Sequence, residues 1–153
     1  VFGESDSRPA IGKDLACWQD KVLDVNRMQE AAQFLLGKHD FSSFRAARCQ
    51  ASTPYRRIEK MTVSRSGRMV AIDTVANAFL MHMVRNIAGT LAQVGSNMLR
   101  ASDVETLLAA RNRSLAPPTA PPHGLYLVQV SYPNFSRHIE ARRPVILGAQ
   151  VVD

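Results

Sequence analysis

Tyr55-Arg-Arg-Ile-Glu-Lys-Met61-Thr-Val63-Ser64, then Ser66-Gly67, then Arg68-Met-Val70-Ala-Ile72-Asp-Thr-Val75 is the stretch whose pattern decides the fold. Met61 and Val63 alternate with polar positions in the first run, and Val70 and Ile72 do so in the second. A period of two places alternate side chains on opposite faces, so each run predicts a strand with one buried face. Ser66-Gly67 supplies the chemistry of a tight turn. The expectation is a β-hairpin, whose apolar face needs a second layer to cover it.

The cover comes from helical patterns on either side. Asp24 is placed as an N-cap, and Val25, Met28, Ala31, Ala32, Leu35 and Leu36 follow at helical spacing, with Gly37 set to close the helix at C′. After the hairpin, Ala78 to Val94 reads as an apolar helix ended by Gly95-Ser96-Asn97. Ser102-Asp-Val-Glu105 has the form of a capping box and opens a short helix through Leu107, Leu108 and Ala110. Gly124 to Tyr132 reads as one more strand, reached through the stiff segment Ala116 to Pro122. Lys38 to Pro54 is polar and predicts a long loop, and loops of that length in a compact domain are usually functional. The order helix, strand, strand, helix, helix, strand predicts an α+β fold, an antiparallel (mixed) sheet with helices on one face. The organisation expected is a leading segment over 1–23 with no clear period, a domain over 24–133, and a polar tail over 134–153 in which Val145-Ile-Leu147 is a candidate short strand.

Composition narrows the function classes. The 153 residues, 46% of them hydrophobic, suffice for one core of ordinary size. No run of about 18 apolar residues occurs, so no membrane span is expected. The first residues lack the basic start and apolar middle of a signal peptide. Two cysteines, Cys17 and Cys49, are too few for a disulfide framework or a zinc ribbon, which favours a reduced, cytoplasmic protein. The net charge of +6, with pI near 9.9, favours an anionic partner. Between Ser42 and Ser66 stand Arg45, Arg48, Arg56, Arg57, Lys60 and Arg65, against the single acid Glu59. That imbalance points to phosphate binding, with a solvated polar face as the alternative. A second basic group, Arg137, His138, Arg142 and Arg143, lies in the tail.

Standard catalytic signatures are missing. There is no glycine-rich phosphate loop and no nucleophile elbow, and the four histidines lack metal-site spacing. His82 falls on the apolar helix, where a satisfied core histidine is the simpler expectation. The anomaly is Arg85, on the same helix. A guanidinium keeps its proton, so one drawn toward a core needs a carboxylate or several acceptors. No acid stands within ten residues on either side. Its partner must come from elsewhere in the fold or from outside these residues; the alternative is a side chain that snorkels to the helix surface.

Several blocks occur in a telling order: Asp40-Phe-Ser-Ser-Phe-Arg45, Cys49-Gln50, Thr53-Pro54, Asn77-Ala-Phe79, Met83-Val-Arg85-Asn-Ile87, and Thr119-Ala-Pro-Pro-His-Gly-Leu125-Tyr-Leu127. Together they resemble the C-terminal half of the bacterial tRNA pseudouridine synthase A family, which isomerises uridines of the tRNA anticodon stem-loop. The resemblance runs from about Arg8 to Pro133. Residues 11–23 and the tail are not matched, and the paired prolines at 117–118 and 121–122 exceed the family pattern.

That resemblance implies two similar α/β halves with joined sheets, a homodimer, and RNA lying over the cleft. It implies catalysis by one aspartate in a block of the N-terminal half that this sequence does not contain, so the chain reads as an inactive fragment of the enzyme. Arg85 would pair with that aspartate and hold it ionised and oriented. Leu125 would wall the target base; without the resemblance it is an ordinary strand residue facing a core. Arg45, Arg48, Cys49, Gln50 and Ser52 would contact the tRNA, while Phe41 and Phe44 are expected to anchor their loop. Neither metal nor cofactor is expected, because the isomerisation is neither a redox step nor a hydrolysis. The competing expectations are a non-catalytic RNA-binding α+β module and a structural domain with a merely solvated basic loop. Against the first, the return strand of the hairpin carries no aromatic residue of the kind an RRM-type sheet presents.

Overall fold

In a computed structural model of the chain, which describes residues 1–6 and 14–132, eight main elements follow one another. They are β1 (Phe2–Glu4), β2 (Cys17–Gln19), α1 (Val25–Gln33), β3 (Gly37–Asp40), β4 (Tyr55–Ser66), β5 (Met69–Ala76), α2 (Met83–Gly95) and α3 (Asp103–Ala110). Short 3-10 turns occupy Ser42–Phe44 and Arg113–Leu115. The strands form one mixed sheet in the order β2-β1-β5-β4-β3, with β1 and β2 parallel and the other pairs antiparallel. This is the α+β class that the pattern predicts.

The hairpin is its centre. Val63 lies opposite Ile72 and Arg65 opposite Val70, and Gly67 turns the chain with φ +56. A bulge at Glu59 separates Ile58 from Lys60 and shifts the register. Ile58, Met61, Val63 and Val70 join Met28, Ala31 and Ala32 of α1 and Met83, Ile87, Leu91 and Val94 of α2 in a single core. Phe41 and Phe44 are fully buried within it, rings tilted against each other at 6.2 Å, so they do anchor the following loop.

α1 starts where its cap predicts, the Asp24 carboxylate accepting from the N–H groups of Asn26 (2.9 Å) and Arg27 (3.1 Å). Gln29, on its sheet-facing side, does the work of a missing strand. β3 covers β4 only from Tyr55 to Ile58. Beyond that, the Gln29 amide accepts from Val63 N–H at 2.7 Å and donates to the Met61 carbonyl at 3.3 Å, pairing edge groups that would otherwise be buried unmet.

A second pairing was not legible in advance. Glu4 (8% exposed) takes a two-pronged contact from Arg65, and its Oε1 also accepts from Leu23 N–H at 2.8 Å. Burial pushes the Glu4 carboxyl up, but the Arg65 and Leu23 hydrogen bonds and the charges of Arg65 and Arg68 outweigh it, leaving it below the ordinary carboxylate value.

Several expectations need correction. α2 begins at Met83, not near Ala78, because the preceding backbone bonds sideways: Ala46 N–H donates to the Met81 carbonyl (3.1 Å) and Met81 N–H to Cys49 Sγ (3.4 Å). His82 is consequently exposed, at φ 61, and is not a core histidine. Lys38 to Pro54 is not all loop, since β3 pairs with β4 and Asp40 accepts from Ser42 N–H and Oγ (2.9 and 2.6 Å), starting the 3-10 turn. Gly37 does not cap α1, which ends at Gln33; its φ of +93 turns the chain into β3. The capping box does not form: Ser102 is itself helical (φ -63, ψ -24) and its side chain caps nothing, while Asp103 accepts from Arg100 N–H at 2.9 Å. Gly124 to Tyr132 pairs with no strand among the described residues, and its alternating apolar side chains lie open, Leu127 80% exposed. Within residues 1–23, where no period is visible, β1 and β2 complete the sheet. The strand expected at Val145-Ile-Leu147 and the basic group from Arg137 to Arg143 lie outside the described residues.

Candidate active site and nucleic-acid interface

Arg85 emerges half-buried from the first turns of α2. Its neighbours Met83 and Ile87 point into the core and fix the rotation of the helix. The guanidinium Nε donates to the Ala120 carbonyl at 2.8 Å, and Ala120 N–H returns to the Arg85 carbonyl at 3.2 Å. The two terminal nitrogens meet no acceptor among the described residues. One edge of the guanidinium is thus spent on holding its direction, and the fork that could grip a carboxylate is left available.

The proline-rich segment reaches α2 at a glycine. A Cβ on Gly89 would collide with the Pro118 carbonyl oxygen and come within 3.2 Å of Ala120 N, so only glycine admits this crossing. Further along, Gly124 (φ +76) lies against Val1, Ala16 and Cys17, its would-be Cβ 2.9 Å from Cys17 N. Tyr126 Oη donates to the Leu15 carbonyl at 2.8 Å, and His123 Nδ1 lies 3.2 Å from an Asp14 carboxylate oxygen. Between these anchors Leu125 is 50% exposed, its N–H bonded to the Pro122 carbonyl at 3.2 Å. It faces no core among the described residues.

The loop from Arg45 to Ser52 is built around two polar anchors. Arg45 Nη2 donates to the carbonyls of Cys49 and Ala51, both at 2.7 Å, curling the loop on itself. Cys49 Sγ accepts from Met81 N–H, tying the loop to the approach to α2. Donation from Ala51 N–H, then from Met81 N–H, and the nearby Arg45 guanidinium hold the Cys49 thiol below its ordinary range despite an opposing effect of burial. Burial pushes the Cys17 thiol up. Arg48, Gln50 and Ser52 are exposed.

The basic run therefore divides. Arg45 shapes its loop, Arg56 donates to the carbonyls of Thr53 and Tyr55, and Arg65 pairs with Glu4. Arg48 and Arg57 are exposed. Among the described residues no three His, Cys, Asp or Glu side chains stand close enough to hold a metal ion, and no helix is long and apolar enough to cross a membrane. Sequence reasoning missed Asn86, Arg113 and Thr119, which join the loop to α2. The isolated glycine at 89, inside an apolar helical pattern, was the available signal of a close backbone approach.

Comparison with known proteins follows the same lines. A family model described as tRNA pseudouridine synthase matches residues 31–133. A tRNA pseudouridine synthase A of Actinobacillus succinogenes is 50% identical over 131 residues, which is 85% of this chain and 50% of that protein. One from Coxiella burnetii is 50% identical over 126 residues (82% of this chain, 48% of the relative), and one from Mannheimia succiniciproducens 57% over 111 (72% and 42%). The chain spans about half the length of the curated relatives it matches.

Proposed function

Because the chain belongs to the tRNA pseudouridine synthase family, we propose that it supplies the RNA-binding and active-site-completing part of an enzyme that isomerises uridine in the tRNA anticodon stem-loop. Isomerisation exchanges the N1–C1′ bond of the nucleotide for a C5–C1′ bond and moves a proton from C5 to N1. Nothing is oxidised or hydrolysed, so positioned side chains can carry the chemistry. In this reading the nucleophilic aspartate is supplied from outside these 153 residues, and the chain alone converts no uridine.

The observation that carries the reading is Arg85: a guanidinium aimed by one backbone bond, its terminal nitrogens meeting no acceptor among the described residues. A carboxylate brought to that fork would gain a charge-assisted, two-pronged contact that keeps it ionised as a nucleophile. Leu125, exposed and close in sequence to Ala120, offers an apolar wall for a base turned out of its stack. Arg48, Gln50 and Ser52 provide phosphate and sugar contacts, with Arg45 and Cys49 completing the loop that presents them. The enzyme acts in the cytoplasm as a homodimer in this reading, consistent with a tRNA substrate.

The test is made on the protein extended to the length of its relatives. Arg85→Lys keeps the charge but loses the fork, and should lower the conversion rate far more than tRNA affinity. Equal loss of rate and affinity, or turnover by the 153-residue chain itself, would overturn the assignment.

A further inference from the structure

Arg85 is aimed by a carbonyl on a loop, so something must fix the loop. We propose that Asn86, Thr119 and Arg113 form a positioning network that sets the reach of Arg85, an inference that rests on the reading of Arg85 as the partner of a catalytic carboxylate. Asn86 follows Arg85 on α2 and is 1% exposed. Its Oδ1 accepts from Thr119 Oγ1 at 2.6 Å and from Arg113 Nη2 at 3.2 Å, and its Nδ2 donates to the Phe44 carbonyl at 2.7 Å. Arg113 Nη2 also reaches Thr119 Oγ1 at 3.0 Å, and Nη1 the Ala116 carbonyl at 3.0 Å.

Three features make this a positioning device. Both lone pairs of the buried amide oxygen are used, so the loop cannot slide along α2 without stranding a polar group. Thr119 is bonded directly to Ala120, whose carbonyl holds Arg85 Nε. Arg113 meets no carboxylate among the described residues; its fork is spent on an amide, a hydroxyl and a carbonyl, all neutral. The same amide, through Phe44, ties this assembly to the start of the Arg45–Ser52 loop. One buried side chain therefore joins the candidate catalytic arginine and the candidate RNA loop in a single rigid frame.

The experiment uses the protein at the length of its relatives. Thr119→Val removes the hydroxyl while preserving shape, and Thr119→Ser keeps it. Thr119→Val is expected to lower kcat about tenfold to a hundredfold, the scale of a misplaced catalytic contact, with KM for tRNA unchanged; Thr119→Ser restores kcat. In an Arg85→Lys background, Thr119→Val should add almost nothing. The same fold-loss in both backgrounds, or a loss confined to KM, overturns the proposal. A second readout is independent of turnover: solvent exchange of the Arg85 Nε–H, followed by NMR, should quicken in Thr119→Val and recover in Thr119→Ser. If Arg85→Lys leaves turnover intact, the catalytic reading falls, and the exchange measurement still judges the network. Unchanged exchange in Thr119→Val overturns it.

Discussion

Arg85 and Ala120 hold each other twice: guanidinium Nε to carbonyl at 2.8 Å, and amide N–H to carbonyl at 3.2 Å. A side chain that moved with its own rotamers alone would sample a wide arc, and a long flexible arginine loses substantial entropy on being fixed. The reciprocal pair makes that fixation part of the fold. The approach it needs is permitted by Gly89.

Gly89→Ala should therefore act at a distance. The added methyl meets the Pro118 carbonyl oxygen, and neither a rigid helix nor a proline-stiffened loop can give way easily. A loss of about 1–3 kcal/mol is expected, as for overpacking elsewhere, measured by urea unfolding. An unchanged midpoint would mean that the loop stands further from α2 than this geometry requires.

Gln29→Met tests the amide that stands in for a strand. Methionine keeps length and volume but strands Val63 N–H and the Met61 carbonyl. The expected cost is about 1–3 kcal/mol, the range for buried groups left unsatisfied. Amide hydrogen exchange at Val63 should accelerate more than at Ile58, which lies where β3 still pairs with β4.

What the sequence made legible follows a physical rule. Alternation at Met61, Val63, Val70 and Ile72 reports burial of one sheet face directly, and Asp24 caps α1 through atoms two and three residues away. Local causes leave local signatures. β1 and β2 are three residues each, too short to show a period, and exist because β5 and the neighbouring backbone accept them. The capping box failed because Ser102 already has helical backbone angles and its side chain caps nothing. Arg85 stood out because an arginine without an acid in an apolar run is an energetic anomaly. Its actual partner is a backbone carbonyl 35 residues away, and Asn86 reaches groups 33 and 42 residues distant. No spacing rule encodes such pairs.

Glu4 gives the fold a defined acid response. Its folded value lies below the reference of 4.5, so the stabilisation is present in full above that pH and is lost as pH falls through the folded value. Glu4→Gln should be less stable than the parent at pH 7, and the gap should close as pH drops below about 4.5. Thermal melts across pH 2 to 7 check this. A gap independent of pH would show that packing, rather than the carboxylate charge, explains the loss.

Cys49 offers a chemical probe of the loop. Its thiol is held low by donation from Ala51 and Met81 N–H and by Arg45, whereas Cys17 is buried and pushed up. The thiolate is the reacting species, so iodoacetamide near pH 7 should modify Cys49 well before Cys17. Lowering the pH should slow the reaction as the thiolate is protonated, and mass mapping of the two peptides reads the selectivity. Arg45→Met removes the cation and the bonds that curl the loop, and should slow the Cys49 reaction in part, since the Met81 N–H donor remains. If Arg48, Gln50 and Ser52 face tRNA as proposed, an anticodon stem-loop added at low salt should protect Cys49, and the protection should fade as salt rises because phosphate contacts release counterions. Alkylation of Cys49 at the same rate with and without the RNA would remove this loop from the interface while leaving the assignment of Arg85 untouched.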